Sequence, residues 1–150
     1  MNLSKRIRTI RLKPDQSGWT VSAGTSDVQS DIVDTANCEG VRFIIGFGAI
    51  TTGATTTVLV QQNTANSLSG MADLAGTGIT VADTDDNKIA ILEVPKPQER
   101  YLCLKTDRNT QNAVIDFVIA ELYGVRVMPV TQDTTVISAE VNVSPAEGTA

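Results

Sequence analysis

The chain has 150 residues, the length of one domain, is 41% apolar but only 4% aromatic, and carries a net charge of −5. A folded chain of about this size buries roughly two thirds of its unfolded surface, so a core needs no disulfide scaffold, and an acidic balance argues against a general nucleic-acid binder, which wants a concentrated excess of Lys and Arg. Histidine is absent, which removes the commonest general base near neutral pH and the commonest metal ligand and counts against most acid–base enzymology.

In chain order, residues 1–29 read as a basic N-terminal arm. Residues 1–14 hold Lys5, Arg6, Arg8, Arg11 and Lys13 with no acid, so this stretch is +5 and the rest, seven basic against seventeen acidic groups, is −10. The start has no apolar run of the signal-peptide kind, and no stretch approaches the ~20 apolar residues of a membrane span, so synthesis in a cytosol and no membrane partner are expected. Ile10 and Leu12 alternate with Arg11 and Lys13, which is a strand period. An ordinary edge strand whose cations discourage aggregation and an arm laid on an acidic neighbour are both compatible with this.

Residues 30–130 read as a β-sandwich body. Short apolar or alternating runs are divided by Gly, Pro, Asp, Asn and Thr, the punctuation of antiparallel sheets. The clearest are Val41 to Phe47, Thr55 to Gln61, Lys88 to Val94, Arg100 to Thr106 and Ala113 to Val127, the last as one long bent strand or two meeting near Gly124. Weaker ones are Ile7 to Leu12, Trp19 to Ser22, Ser30 to Thr35 and Gly78 to Ala82. Asp116 breaks the pattern of its run and belongs on an exposed face or at an edge. Asn63 to Thr77 reads as loop and Pro95 to Glu99 as a stiff connection. Residues 131–150 read as an extended C-terminal arm, in which Ile137, Ala139, Val141 and Val143 alternate with Ser138, Glu140 and Asn142 so that one face can bury. Such a segment is expected to add as a strand to a neighbouring subunit; the alternative is a final strand on its own sandwich.

Chemical motifs fail one by one. Asp83, Asp85 and Asn87 begin like a calcium loop, but Lys88 stands where the turn requires Gly and Val94 where it requires Glu, leaving a polar turn. Gly46, Gly48 and Gly53 lack the lysine and helix of a phosphate loop and read as turns or bulges. Ser and Thr have no histidine to activate them, and pairing Glu121 with Asp116 or Glu93 with Glu99 as a glycosidase dyad requires contacts that spacing does not supply. Cys38 and Cys103, 65 positions apart, match neither a redox pair nor a zinc site and read as reduced, part-buried thiols, with a disulfide the lesser alternative. No catalytic residue, metal or cofactor is therefore expected.

The run from Val33 to Gln62, with Asp34, Thr35, Gly40, Val41, Phe43, Gly48, Ala49, Thr56, Val58 and Gln61, resembles a pattern in small structural proteins of tailed bacteriophages, the capsid decoration or cement proteins. The segment from Glu99 to Gly124, with Arg100, Tyr101 and Leu104, is similar to that family's closing strands. Family members often carry an aromatic residue in the central loop, where this chain has Ser67, Leu68, Ser69 and Gly70. The resemblance implies a jelly-roll-like sandwich on the capsid surface of a virion, with the major capsid protein as partner and a homo-oligomer, a trimer favoured over a dimer. The expected function is thus a non-enzymatic structural protein that binds and stabilises the outer face of the shell through Lys5, Arg6, Arg8, Arg11, Lys13, Ile137, Ala139, Val141 and Val143. The alternative is a carbohydrate- or receptor-binding module of a tail fibre or baseplate, for which Trp19, Tyr101 and Tyr123 are a thin supply of stacking residues.

Overall fold

A computed structural model describes residues 2–110, 112–144 and 146–148. Among the described residues, a 3-10 turn at Leu3–Lys5 is followed by ten strands: β1 (Arg8–Leu12), β2 (Val28–Gln29), β3 (Val33–Asp34), β4 (Gly40–Ile50), β5 (Thr56–Asn63), β6 (Ala72–Asp73), β7 (Ile79–Val81), β8 (Ile89–Pro95), β9 (Tyr101–Arg108) and β10 (Ala113–Tyr123). They form two antiparallel sheets, so the expected all-β sandwich is what the chain adopts. The first sheet runs β1-β10-β4-β8; in the second, β9 and β5 are central, flanked by β2 and β3 on one side and by β6 and β7 on the other. Every step along the chain from one of these positions to the next changes sheet, except that from β5 to β6.

The two longest strands explain most of the core. In β4, Val41, Phe43, Ile45 and Phe47 point inward, and in β10, Val118, Ala120 and Leu122 meet them from the neighbouring strand. Both strands change phase toward their other end, where Ile50 in β4 and Ala113 and Ile115 in β10 are the buried residues. The ladder has register shifts between Ala113 and Ile115 and between Ile115 and Phe117, and these bulges let a strict period-2 face survive a one-residue slip. Asp116 is the extra residue at one of them and is exposed, as its misfit in the sequence pattern requires. From the second sheet Val33, Val58, Val60, Leu102 and Leu104 close the core. Each such side chain is worth roughly 1.5–3 kcal/mol of burial, which suits a core with few aromatic residues.

Several expectations need correction. Gly46 and Gly48 lie inside β4 beside its register shifts against β10, at bulges and not in turns; the Phe117 ring lies where a Cβ on Gly46 would stand, so that strand must be bare there. Gly53 does occupy a turn, with φ +84°. The run to Val127 is one strand that stops at Tyr123, because Gly124 takes φ +61°. Trp19 to Ser22 supplies only the bridge Val21 to Ile115, Ser30 to Thr35 only Val33–Asp34, and the loop at 63–77 contains β6. The body does not begin at residue 30: β1 pairs with β10 over five positions and buries Leu12, so the basic segment is the edge strand of the first sheet. Residues 135–143 form no strand within the single chain, which sets aside the alternative of a final strand on its own sandwich.

Candidate interaction surfaces

The two arms, more than 120 residues apart in the sequence, meet at the free side of β1. Thr9 N donates to Gln132 Oε1 at 2.8 Å and Arg11 N to Thr135 Oγ1 at 2.9 Å. The Gln132 amide donates back to the carbonyls of Ser4 and Ile7, both at 2.8 Å, and Val130 N donates to Lys5 O at 3.1 Å. Arg8 Nη2 pairs with Asp133 Oδ2 at 3.0 Å. Burial would raise the Asp133 carboxyl, but hydrogen bonds from Thr135 and Arg8 more than offset it and hold the group below its ordinary value. Residues 130–135 thus clasp the edge strand, occupying backbone groups that would otherwise template another chain.

The predicted basic cluster is divided by this arrangement. Arg8 is consumed by Asp133, while Arg11 and Lys13 stand over the exposed Trp19 ring at 5.2 and 5.8 Å from its centroid, within cation–π range. Lys5 and Arg6 are exposed and stand outside the ion pairs seen among the described residues. Of the predicted apolar set, Ile137, Ala139, Val141 and Val143 are all exposed, Ile137 completely and Val143 at 93%.

The outer faces of the two sheets differ. On the second sheet the outward residues are mixed: Gln61 Nε2 donates to Asp73 Oδ1 at 2.7 Å, Gln61 Oε1 accepts from Gln29, and Lys105 pairs with Asp107 at 2.7 Å, while Leu59 and Tyr101 beside them are half-buried and Cys103 is buried. On the first sheet, register brings Ile119, Ile44 and Ile91 into one row and Phe117, Gly46 and Ile89 into the next. Ile89 and Ile91 remain 56% and 48% exposed. Arg42, paired with Glu121, bounds this apolar strip on one side, and Arg11 beside Ile119 continues it toward Trp19. These isoleucines were not among the expected site residues. Their sequence signal was the presence of apolar residues at both phases of VRFIIGF, KIAILEV and FVIAEL, where a half-wet strand alternates.

The remaining charged groups serve the fold. Asp83 and Asp86 accept from Gly53 N and Ile50 N, and Asp85 accepts from Ala82 N and pairs with Lys88, so the calcium-like run is a turn held by its own carboxylates. Arg100 grips Asp34 with two bonds of 2.8 Å, which together hold the Asp34 carboxyl below the ordinary carboxylate range. Arg108 is buried and donates to the carbonyls of Ser22, Ser26 and Ala113. Cys38 and Cys103 are free thiols. Among the described residues no group of three or more His, Cys, Asp or Glu is placed to hold a metal, and no helix is long and apolar enough to cross a membrane. No family model matches the chain, and no curated protein matches it in sequence.

Proposed function

We propose that this chain is a virion structural protein that binds the outer face of the major capsid shell and stabilises it, acting through protein contacts and without a catalytic step. One observation carries this: a small sandwich whose first sheet bears on its outer face a strip of five large apolar side chains, two of them about half exposed. An apolar strip rimmed by polar residues is what association surfaces look like. The strand order, β1-β10-β4-β8 facing β2/β3-β9-β5-β6/β7, supports the jelly-roll form of the sandwich, an architecture recurrent in capsid proteins. Many copies binding an assembled lattice in preference to free subunits stabilise it by linkage.

Mass spectrometry of purified particles tests the assignment: the chain should be present in a fixed ratio to the major shell protein, and its absence from particles would end it. Binding to empty shells tests the face. Ile119→Glu places a charge in the middle of the strip and is expected to weaken shell binding by about tenfold or more, as for a central apolar contact, while the melting temperature shows that the body still folds; undiminished binding would move the interface elsewhere. The second reading, a carbohydrate- or receptor-binding module of a tail fibre or baseplate, is favoured by one feature, the exposed Trp19 flanked by Arg11 and Lys13. Glycan-array binding abolished by Trp19→Ala would select it.

A further inference from the structure

We infer that the free edge of β8 in one copy receives the segment Ile137 to Val143 of a second copy as an added antiparallel or parallel strand. This rests on the expectation that the chain associates with itself and names both halves of the contact. The sandwich has few edges that could accept a strand. β1 is clasped by residues 130–135 of its own chain. β2, β3 and β6 have two residues each and β7 three, too short to align a partner. β8 has seven residues and pairs on one side only, with β4.

Beside it lies the groove of about 300 Å³ between the two sheets, lined by Phe47, Ile79, Val81, Ala90 and Ile91 among others. A strand laid on β8 points alternate side chains into this groove and the others outward, level with Ile89 and Ile91. Ile137, Ala139, Val141 and Val143 fit the first role; Ser138, Glu140 and Asn142 fit the second.

The donor must come from another molecule because its own cannot reach. Thr135 is fixed outside β1 at Arg11, and the position beyond β8 is five strand spacings away, about 24 Å at ~4.8 Å each. At ~3.3 Å per residue roughly seven residues are spent in crossing, which leaves Ile137 and Ala139 over the sheet and only the last residues at the edge. In the single chain Val136 and residues 138–140 border a depression of about 430 Å³ above Thr9, Arg42 and Glu121, so they rest there without filling it. A head-to-tail exchange of this kind closes as a ring when the rotation between copies permits, which accommodates the expected trimer.

The test uses the full chain without any shell, so its outcome is independent of whether the protein decorates capsids. Sedimentation of the full chain should show a concentration-dependent oligomer, and removal of residues 137–150 should raise its dissociation constant about tenfold or more with the melting temperature unchanged. In a Cys38→Ser background, chains carrying Ile89→Cys or Ile91→Cys are mixed with tagged chains carrying Ser138→Cys, Glu140→Cys or Asn142→Cys. At least one combination should form a disulfide between chains, since paired strands bring Cβ atoms within reach, and an Asn66→Cys control in the exposed loop between β5 and β6 should not. A monomer at the highest attainable concentration, an oligomer that survives the truncation, or cross-links no more frequent at β8 than at the control would each overturn the inference.

Discussion

Arg108 is the side chain whose role is least like its type. It is buried, yet its guanidinium meets three backbone carbonyls, with Nε to Ser26 O at 2.8 Å and Nη1 to Ser22 O and Ala113 O at 2.9 Å, and among the described residues no carboxylate stands at bonding distance. Burial pulls it below its ordinary basicity, but an arginine stays charged, and the carbonyls take the place of the missing anion. The bonds tie the loop before β2 to the ends of β9 and β10. Because each hydrogen bond to a charged group is worth about 1.5–3 kcal/mol and water can reach part of the loop, Arg108→Met should cost about 2–4 kcal/mol in a denaturant titration; a loss under about 1 kcal/mol would show that the loop is held by other means. Burial also governs the thiols. It pushes Cys103 up to about 12, and it raises Cys38 with help from the nearby Asp34 carboxylate. At pH 8 iodoacetamide should therefore label Cys38 slowly and Cys103 only after unfolding, read by peptide mass spectrometry; rapid double labelling of the native chain would contradict the packing of β9 against β5.

At the scale of elements, the clasp on β1 is the least expected feature. Gln132 and Thr135 stand in for the backbone of a missing strand, so replacing them by Leu and Val removes the partners of Thr9 N, Arg11 N and two carbonyls. At about 0.5–1.5 kcal/mol per hydrogen bond, less what water restores at an edge, the double variant should lose about 1–3 kcal/mol and aggregate sooner in light scattering, since β1 is then an open template. Truncation after Val136 should do neither. The contrast separates the residues that seal the edge from those that lie free beyond it. The strands themselves were legible where the period was strong. Val41 to Phe47, Lys88 to Val94 and Arg100 to Thr106 fall inside β4, β8 and β9 or within one residue of them, and the five-residue β1 lies within the predicted Ile7 to Leu12. Short pairings such as β2 and β6 escaped because two residues carry no period. The clasp escaped for a different reason: Arg8 and Asp133 lie 125 positions apart, and side-chain bonds to an edge leave no trace in the hydropathy pattern on either side. Only the acid facing a basic run offered a hint.

For the whole molecule, the separation of a +5 start from a −10 remainder had suggested five cations free for a partner, and folding divides them into two populations. Arg8 is committed to Asp133, and Arg11 and Lys13 to the Trp19 ring. Lys5 and Arg6 project beside the exposed Leu3 and Met128, at the end of the sandwich where the 3-10 turn precedes β1. Charges at the rim of an interface act mainly on association rate and salt dependence, whereas a charge engaged inside its own chain acts on stability. The two populations should therefore answer differently to the same substitution. Replacing Lys5 and Arg6 by Ser should leave the melting temperature unchanged, slow binding to empty shells at low salt, and flatten the dependence of binding on salt until variant and parent coincide near 1 M, where the screening length is about 3 Å. Arg8→Ser should instead lower the melting temperature by loosening the clasp and change the salt slope of binding little. Kinetics measured over a salt series on both variants decide between this division and a single undivided basic patch, for which all three substitutions would flatten the slope alike.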